Sequence, residues 1–401
     1  MQTILFRVAA LVALFFGVDS AFAQSWTVNG PTPNDGPGPY LLASSADGTK
    51  IVAALAHGPI LYTTTNSGET WALRSVSSDN GWLGVASSAD GCTLAAVGGS
   101  GPVCISTNSG VTWTSNYLAD YYQTNWSSVA SSADGRTLTV VGGFFLIYTT
   151  TNAGATWTSN TTPGGGLVSV TCSSDATKLV AMDQDSYIFA STNAGATWTQ
   201  PTNLPSPTQA NACSVVSSAD GCTFVASVYG HGIYKSTDSG ATWTMTSAPP
   251  INWTAIASSV DGSKLVAATG GYFYYKTGEG PIYTSTNGGT SWVSNNVLNT
   301  DWGSVASSAD GNMLFASGDA GVYRYQTTSA PQLNITPASG NLLLSWIVPS
   351  TNFVVVQNSD LTTANWTLVT NTPVLNLTNL QNEVILSPPV GNAFYRLFDS
   401  L

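Results

Sequence analysis

Few side chains in this chain could do chemistry, and their placement narrows which chemistry. Of 401 residues, ten are Lys or Arg, 21 are Asp or Glu and two are His. Gripping a carboxylate through several guanidinium forks needs clustered arginines. Arg7 lies in the apolar N-terminal stretch, Arg136 in a predicted turn and Arg396 in the tail, which leaves only Arg74 and Arg324. Glycoside hydrolysis needs two carboxylates at a set separation. Glu279, Asp79, Asp120, Asp183, Asp185, Asp301 and Asp319 are the candidates, and no local motif selects two of them. His57 and His231 fall in equivalent loops of repeats that are not neighbours, and no C-x-x-C occurs, so no metal site is expected. No catalytic residue and no cofactor are assigned. The better candidates are aromatic and suit a binding surface. One group is Tyr117, Asp120, Tyr121, Tyr122 and Trp126, and the other is Tyr272, Tyr274, Tyr275 and Glu279, with Asp183 and Asp185 beside them.

The elements that must position these residues are repeats. A phrase close to Ser-Ser-Ala-Asp-Gly occurs seven times, at Asp47, Asp90, Asp134, Asp175, Asp220, Asp261 and Asp310. A second phrase ending in Thr-Trp or Ser-Trp follows six of them, and the period is 41–49 residues. A fixed period of this size means stacked copies of one supersecondary unit. β-type runs flank each Asp-Gly pair, as a hairpin requires. A third strand, such as Gly232-Ile233-Tyr234-Lys235, runs into the second phrase, and a fourth starts at its Trp. In that phrase a short Asp or Asn side chain can accept backbone N–H bonds, and Gly takes a backbone conformation that other residues resist.

Ser236-Thr237-Asp238-Ser239-Gly240-Ala241-Thr242-Trp243 resembles the Asp box of the bacterial neuraminidase repeat, S-x-D-x-G-x-T-W. The copies end at Trp71, Trp113, Trp157, Trp198, Trp243 and Trp292; Asp238 keeps the Asp, and Asn66, Asn108, Asn152, Asn193 and Asn287 replace it elsewhere. The resemblance covers about 300 residues of the chain. It implies a β-propeller of the kind found in sialidases, xyloglucanase-type glycosidases, sortilin-type receptors and photosystem II assembly factors. A fold shared so widely implies no single activity.

Blade number follows from uneven counting. Seven first phrases stand against six second phrases, and the last copy lacks its Trp. Ser25-Trp26-Thr27 looks like the detached fourth strand, because Trp26 precedes Asp47 by 21 residues, within the 18–22 seen elsewhere. The expected fold is therefore all-β: a seven-bladed propeller closed by an N-terminal strand, then a small β-sandwich. The expected boundaries are 1–23 for a signal peptide, 24–329 for the propeller and 330–401 for the C-terminal module. Met1 to Ala23 combines Arg7, an apolar run from Val8 to Val18 and the cleavage pattern Ala21-Phe22-Ala23. No later apolar run is long enough to span a bilayer.

The five cysteines are Cys92, Cys104, Cys172, Cys213 and Cys222. An odd number leaves at least one unpaired within the chain, and buried free thiols are the expectation. A net charge of −11 with so few cations disfavours nucleic acid and anionic lipid as partners.

In each blade, strands a to d run outward from the axis. The a–b and c–d turns share one face of the disc, here the turn face. The b–c loops and d–a crossings share the other, the loop face, where propellers of this superfamily usually bind ligands. Trp82, Trp126, Trp253 and Trp302 each precede a phrase Asp by eight residues, at the start of an innermost strand. The expected function is non-catalytic binding of a glycan, peptide or envelope protein on the loop face. The expected protein is a monomer that is secreted, periplasmic or held at the cell surface. Alternatives are a glycoside hydrolase using two Asp of that face and a structural surface or assembly protein.

Overall fold

The computed structural model describes residues 26–31, 39–76, 81–118, 125–142, 146–161, 165–201, 212–270, 280–326, 333–347, 353–360, 362–363, 365–377, 380–389 and 393–399. Every regular element among them is a β-strand. Seven antiparallel sheets carry the repeat. Their innermost strands are Tyr40–Ser44, Gly84–Ser87, Trp126–Ser131, Leu167–Cys172, Ala212–Ser217, Trp253–Ser258 and Ser304–Ser307, which define blades 1 to 7. Each of these strands neighbours the next, and that of blade 7 neighbours that of blade 1, so the sheets form a closed ring. Each second strand is buried along its whole length, as Ile51–Leu55 and Leu179–Asp183 are. That pattern suits a strand sandwiched between two neighbouring sheets.

Closure uses the N-terminal strand. Thr27–Val28 pairs antiparallel with Gly321–Gln326, with Thr27 opposite Arg324, and becomes the outermost strand of blade 7. Trp26 packs against Trp302 at 6.4 Å and Tyr325 at 5.4 Å. Blade 4 has three regular strands, and a bridge between Ala190 and Thr199 stands where its fourth would be.

A second closure runs through the first phrase. The Ala46 N–H donates to the Ala89 carbonyl, and the same bond passes through Ala133, Ser174, Ala219, Val260 and Ala309 back to Ala46, each at 2.7–2.9 Å. Seven backbone bonds thus circle the turn face head to tail. The phrase builds the turn that presents this residue. In blade 3 the Ser132 hydroxyl donates to Asp134 Oδ1 at 2.6 Å, and the same oxygen accepts the Arg136 N–H at 2.9 Å. Gly135 completes the turn at φ +70°, and Ala176 takes the same left-handed region at φ 55° in the degraded copy.

The second phrase folds one way in all six copies. In blade 1 the Thr64 hydroxyl accepts the Gly68 N–H, and Asn66 Oδ1 accepts the Thr70 N–H. Asn66 Nδ2 donates to Thr70 Oγ1, whereas Asp238 Oδ2 accepts from Thr242 Oγ1. Reversing the direction of the threonine hydroxyl is what lets Asn and Asp serve the same turn. The ring nitrogens of Trp113, Trp198 and Trp243 donate to the carbonyl of the phrase Gly. That of Trp71 instead donates to Asn29 O, which ties the N-terminal segment to blade 1.

The tail forms a small β-sandwich. One sheet contains Asn334–Ala338, Asn341–Ile347, Val374–Asn376 and Gln381–Leu386, and the other contains Phe353–Asn358, Thr367–Leu368 and Phe394–Asp399. Leu344, Trp346, Val355, Val369, Val384 and Leu386 form its core.

Among the described residues Cys92, Cys104, Cys172 and Cys222 are free thiols; the Cys213 side chain lies outside them. Burial pushes the Cys172 thiol up to about 12. Of the four only Cys104 is buried; Cys92 and Cys172 are half-buried and Cys222 is exposed, a departure from the expectation of buried thiols.

Candidate binding channel

The seven innermost strands surround a channel of about 510 Å³. Its lining is small apolar residues and hydroxyls, such as Val85, Ser127, Val168, Val215, Thr254 and Ser304, with no ionisable side chain among the described residues that line it. Several hydroxyls bind one blade to the next. Ser128, Ser169 and Ser304 accept the N–H groups of Val170, Val215 and Leu42 from the following blade. Gly84 holds the equivalent place in blade 2, where an added Cβ would meet the Ser128 backbone at 2.9 Å.

The loop-face mouth is shaped by β-bulges. The pairing slips between Trp126 and Ser128, Leu167 and Ser169, Ala212 and Ser214, and Trp253 and Ala255. A bulge leaves one residue unpaired and re-aims it. Here the extra residues Ser127, Val168 and Thr254 line the channel. Ser127 Oγ donates to the Leu167 carbonyl at 2.5 Å. Thr254 Oγ1 is buried without a hydrogen-bond partner. An unpaired buried hydroxyl costs about 1–3 kcal/mol.

The residues expected to bind divide into three sets. Tyr117, at the start of the crossing from blade 2 to blade 3, is 70% exposed. Asp120, Tyr121, Tyr122, Tyr272, Tyr274, Tyr275 and Glu279 lie outside the described residues, as does Asp79. Trp126 is corrected from a surface residue to a packing residue. It is fully buried and meets Tyr148 edge to face at 5.6 Å. Trp82, Trp253 and Trp302 are buried likewise, and Trp253 and Trp302 meet Tyr283 and Tyr323 edge to face. Loss of such an indole at the start of an inner strand would leave a large gap between blades, and truncating a side chain of this size costs about 3–5 kcal/mol.

Asp183 is 3% exposed and acts in the b–c turn of blade 4, where Oδ1 accepts the N–H groups of Asp185 and Tyr187 at 3.0 and 2.8 Å. Burial raises its carboxyl above the usual range in spite of these bonds. Asp185 follows it in the same turn and is exposed. His57 is in the left-handed region at φ 58°, and burial lowers its pKa. Among the described residues no three His, Cys, Asp or Glu side chains group as metal ligands. Sequence reasoning missed the channel residues Ser127 and Thr254. The only trace of them is a hydroxyl directly after an inner-strand Trp.

No family model and no curated protein matches the sequence. Solved structures do. One, described as YCF48 bound to D1 peptide, superposes with a TM-score of 0.57 at 17% identity, covering 76% of this chain and 97% of its own. Another, YCF48 from Cyanidioschyzon merolae, gives 0.58 at 18% identity, covering 75% of this chain and 98% of its own. Likeness at this level establishes the fold, a β-propeller, and leaves about a quarter of this chain outside the match.

Proposed function

We propose that this chain is a non-catalytic propeller that binds an extended peptide segment at the loop-face mouth of its channel. The observation that carries the reading is the mouth itself. Bulged strands turn Ser127 and Thr254 into an uncharged channel, and the Thr254 hydroxyl has no partner. Such a wall fits small apolar and hydroxyl side chains together with backbone amides, one of which would meet the Thr254 hydroxyl once that side chain rotates out of the wall. A neighbour of the same fold, at 17% identity, is described as bound to a peptide, which supports the same class of ligand here. The second phrase supports kinship with the Asp-box propellers. The N-terminal stretch supports export, with action in the periplasm, at the cell surface or outside the cell.

Peptide and glycan arrays probed with the full chain test the reading, followed by calorimetry on the best peptide. Thr254→Val keeps the shape and removes the hydroxyl, and should weaken binding about tenfold, the worth of one hydrogen bond. Binding to glycans alone, or peptide binding unchanged in both Thr254→Val and Ser127→Ala, would overturn it.

A further inference from the structure

The seven turns of the turn face share one hydrogen-bond pattern. In every copy the residue two past the phrase Asp donates its N–H to that carboxylate: Thr49, Cys92, Arg136, Thr177, Cys222, Ser263 and Asn312, at 2.8–3.0 Å. Their exposure differs. Asp90, Asp134, Asp175, Asp220 and Asp261 are exposed and Asp47 is half-buried, but Asp310 and Asn312 are each 8% exposed. One turn of an otherwise repeating face is covered.

The sandwich reaches the same place. Leu375 and Leu380 pack in one apolar cluster centred on Ala46 and Ala309, the ring-bond members of blades 1 and 7, with Ala89 and Val260 of blades 2 and 6 at its edges. Leu380 also lines a chamber of about 180 Å³, whose other walls are first-phrase residues of all seven blades and Cys172 just before the phrase of blade 4. Its backbone is left-handed, at φ 52°. That conformation is a genuine outlier for a leucine and persists where the surroundings hold it. Desolvation raises the Asp310 carboxyl above its usual range, whereas Asp90, Asp175, Asp220 and Asp261 lie below it.

We infer that the C-terminal sandwich is an intramolecular stopper, seated through Leu380 and Leu375 on the seven-residue hydrogen-bond ring, off-centre over blades 7 and 1. The docking surface is the alanine ring, and its occupant is the turn of the sandwich that carries Leu380. The channel then opens to ligand at the loop face only. The sandwich is part of the binding body rather than a head swinging on a tether. This conclusion stands whatever the ligand is.

Hydrogen exchange of the full chain, read at the seven equivalent amides, tests it, because each donates to the carboxylate of its own phrase Asp and their cover differs. The Asn312 amide should exchange at least about tenfold more slowly than those of Arg136, Thr177 and Cys222. Asparagine tolerates the left-handed region, so Leu380→Asn keeps the turn while removing the apolar contact. It should bring Asn312 to the rate of the other turns, with exchange in Phe353–Asn358 unchanged. Val374→Asn, on a strand of the same sheet and 69% exposed, should change nothing. If exchange in Phe353–Asn358 also rises in Leu380→Asn, Leu375→Ser gives the same reading from the other contact residue. An Asn312 amide as fast as its equivalents in the unaltered chain, or still slow once the contact residue is replaced in a folded sandwich, would overturn the inference.

Discussion

At Asp90 the carboxylate accepts the Ser88 hydroxyl and the Cys92 N–H within one turn. Desolvation opposes ionisation there, but these bonds and the Lys50 charge outweigh it, and the carboxyl lies below the ordinary value of 3.8. Asp175, Asp220 and Asp261 repeat the balance, and Asp238 is lowered chiefly by its bonds to Thr242. A carboxyl lowered by folding stabilises the fold while it is ionised. That contribution is complete above the unfolded value and fades as pH falls through the lower, folded one. Asp183 and Asp310 have the opposite sign, since burial raises both. Their penalty is in force above the raised value and vanishes as pH falls through it. Because lowered carboxyls outnumber raised ones among the described residues, melting temperature should drop as pH falls from about 4 to about 2. A series of thermal melts checks this, and a flat profile through that window would show that the turn bonds contribute nothing.

At the scale of the element, the hairpin turns were legible because they demand particular residue types. An Asp that collects donors and a Gly in the left-handed region leave a visible phrase. The bulges were not legible, because no residue type is required where a strand gains one residue. The second phrase hid a detail of its own. The residue before its Gly is also left-handed: Ser67, Ser109, Ala153, Ala194 and Ser239 all have φ of 53–59°. These residue types show no glycine signature, so the sequence did not betray them. The first-phrase glycines also differ in what surrounds them. A Cβ on Gly135 would meet Thr93 Cβ and Oγ1 at 2.5 Å, while one on Gly262 would meet Thr223 Cγ2 at 3.1 Å. Both share φ +70°. Gly262→Ala should therefore cost about 1–2 kcal/mol from backbone strain alone, and Gly135→Ala more, because it adds a clash between blades. Urea denaturation of the two variants measures the difference, and equal losses would mean that neighbouring blades yield freely.

At the scale of the molecule, seven blades and their closure were legible as a counting argument, because the N-terminal Trp26 supplied the member missing from the last repeat. The seating of the sandwich was not, since Leu375 and Leu380 are ordinary leucines until the ring beneath them is known. Trp126 was grouped with the binding residues although its place at the start of an inner strand also suited packing, and the fold buries it because blades meet there. The closure has a direct test. A chain beginning after Asn29 leaves the outer edge of Gly321–Gln326 without a partner and Trp71 without its acceptor. An exposed strand edge is a template for association, so the truncated chain should melt lower and form higher-mass species by light scattering. A shortened chain as stable and monodisperse as the parent would show that the other links between blades 7 and 1 suffice.

Those links give the disc a direction of weakness. The chain itself crosses all seven joints, that from blade 7 to blade 1 after Thr27–Val28, so the ring is interrupted only inside blade 7, where Thr27–Val28 pairs with Gly321–Gln326. The joint between blades 7 and 1 is held by the Ala309–Ala46 bond, by the Tyr40 and Leu42 N–H groups on Ser317 and Ser304, and by the strand Thr27–Val28. The sandwich rests on Ala46 and Ala309, the two residues that face each other across this joint. A load pulling on the two ends of the chain would meet it as a clasp behind the one strand pair whose loss opens the ring.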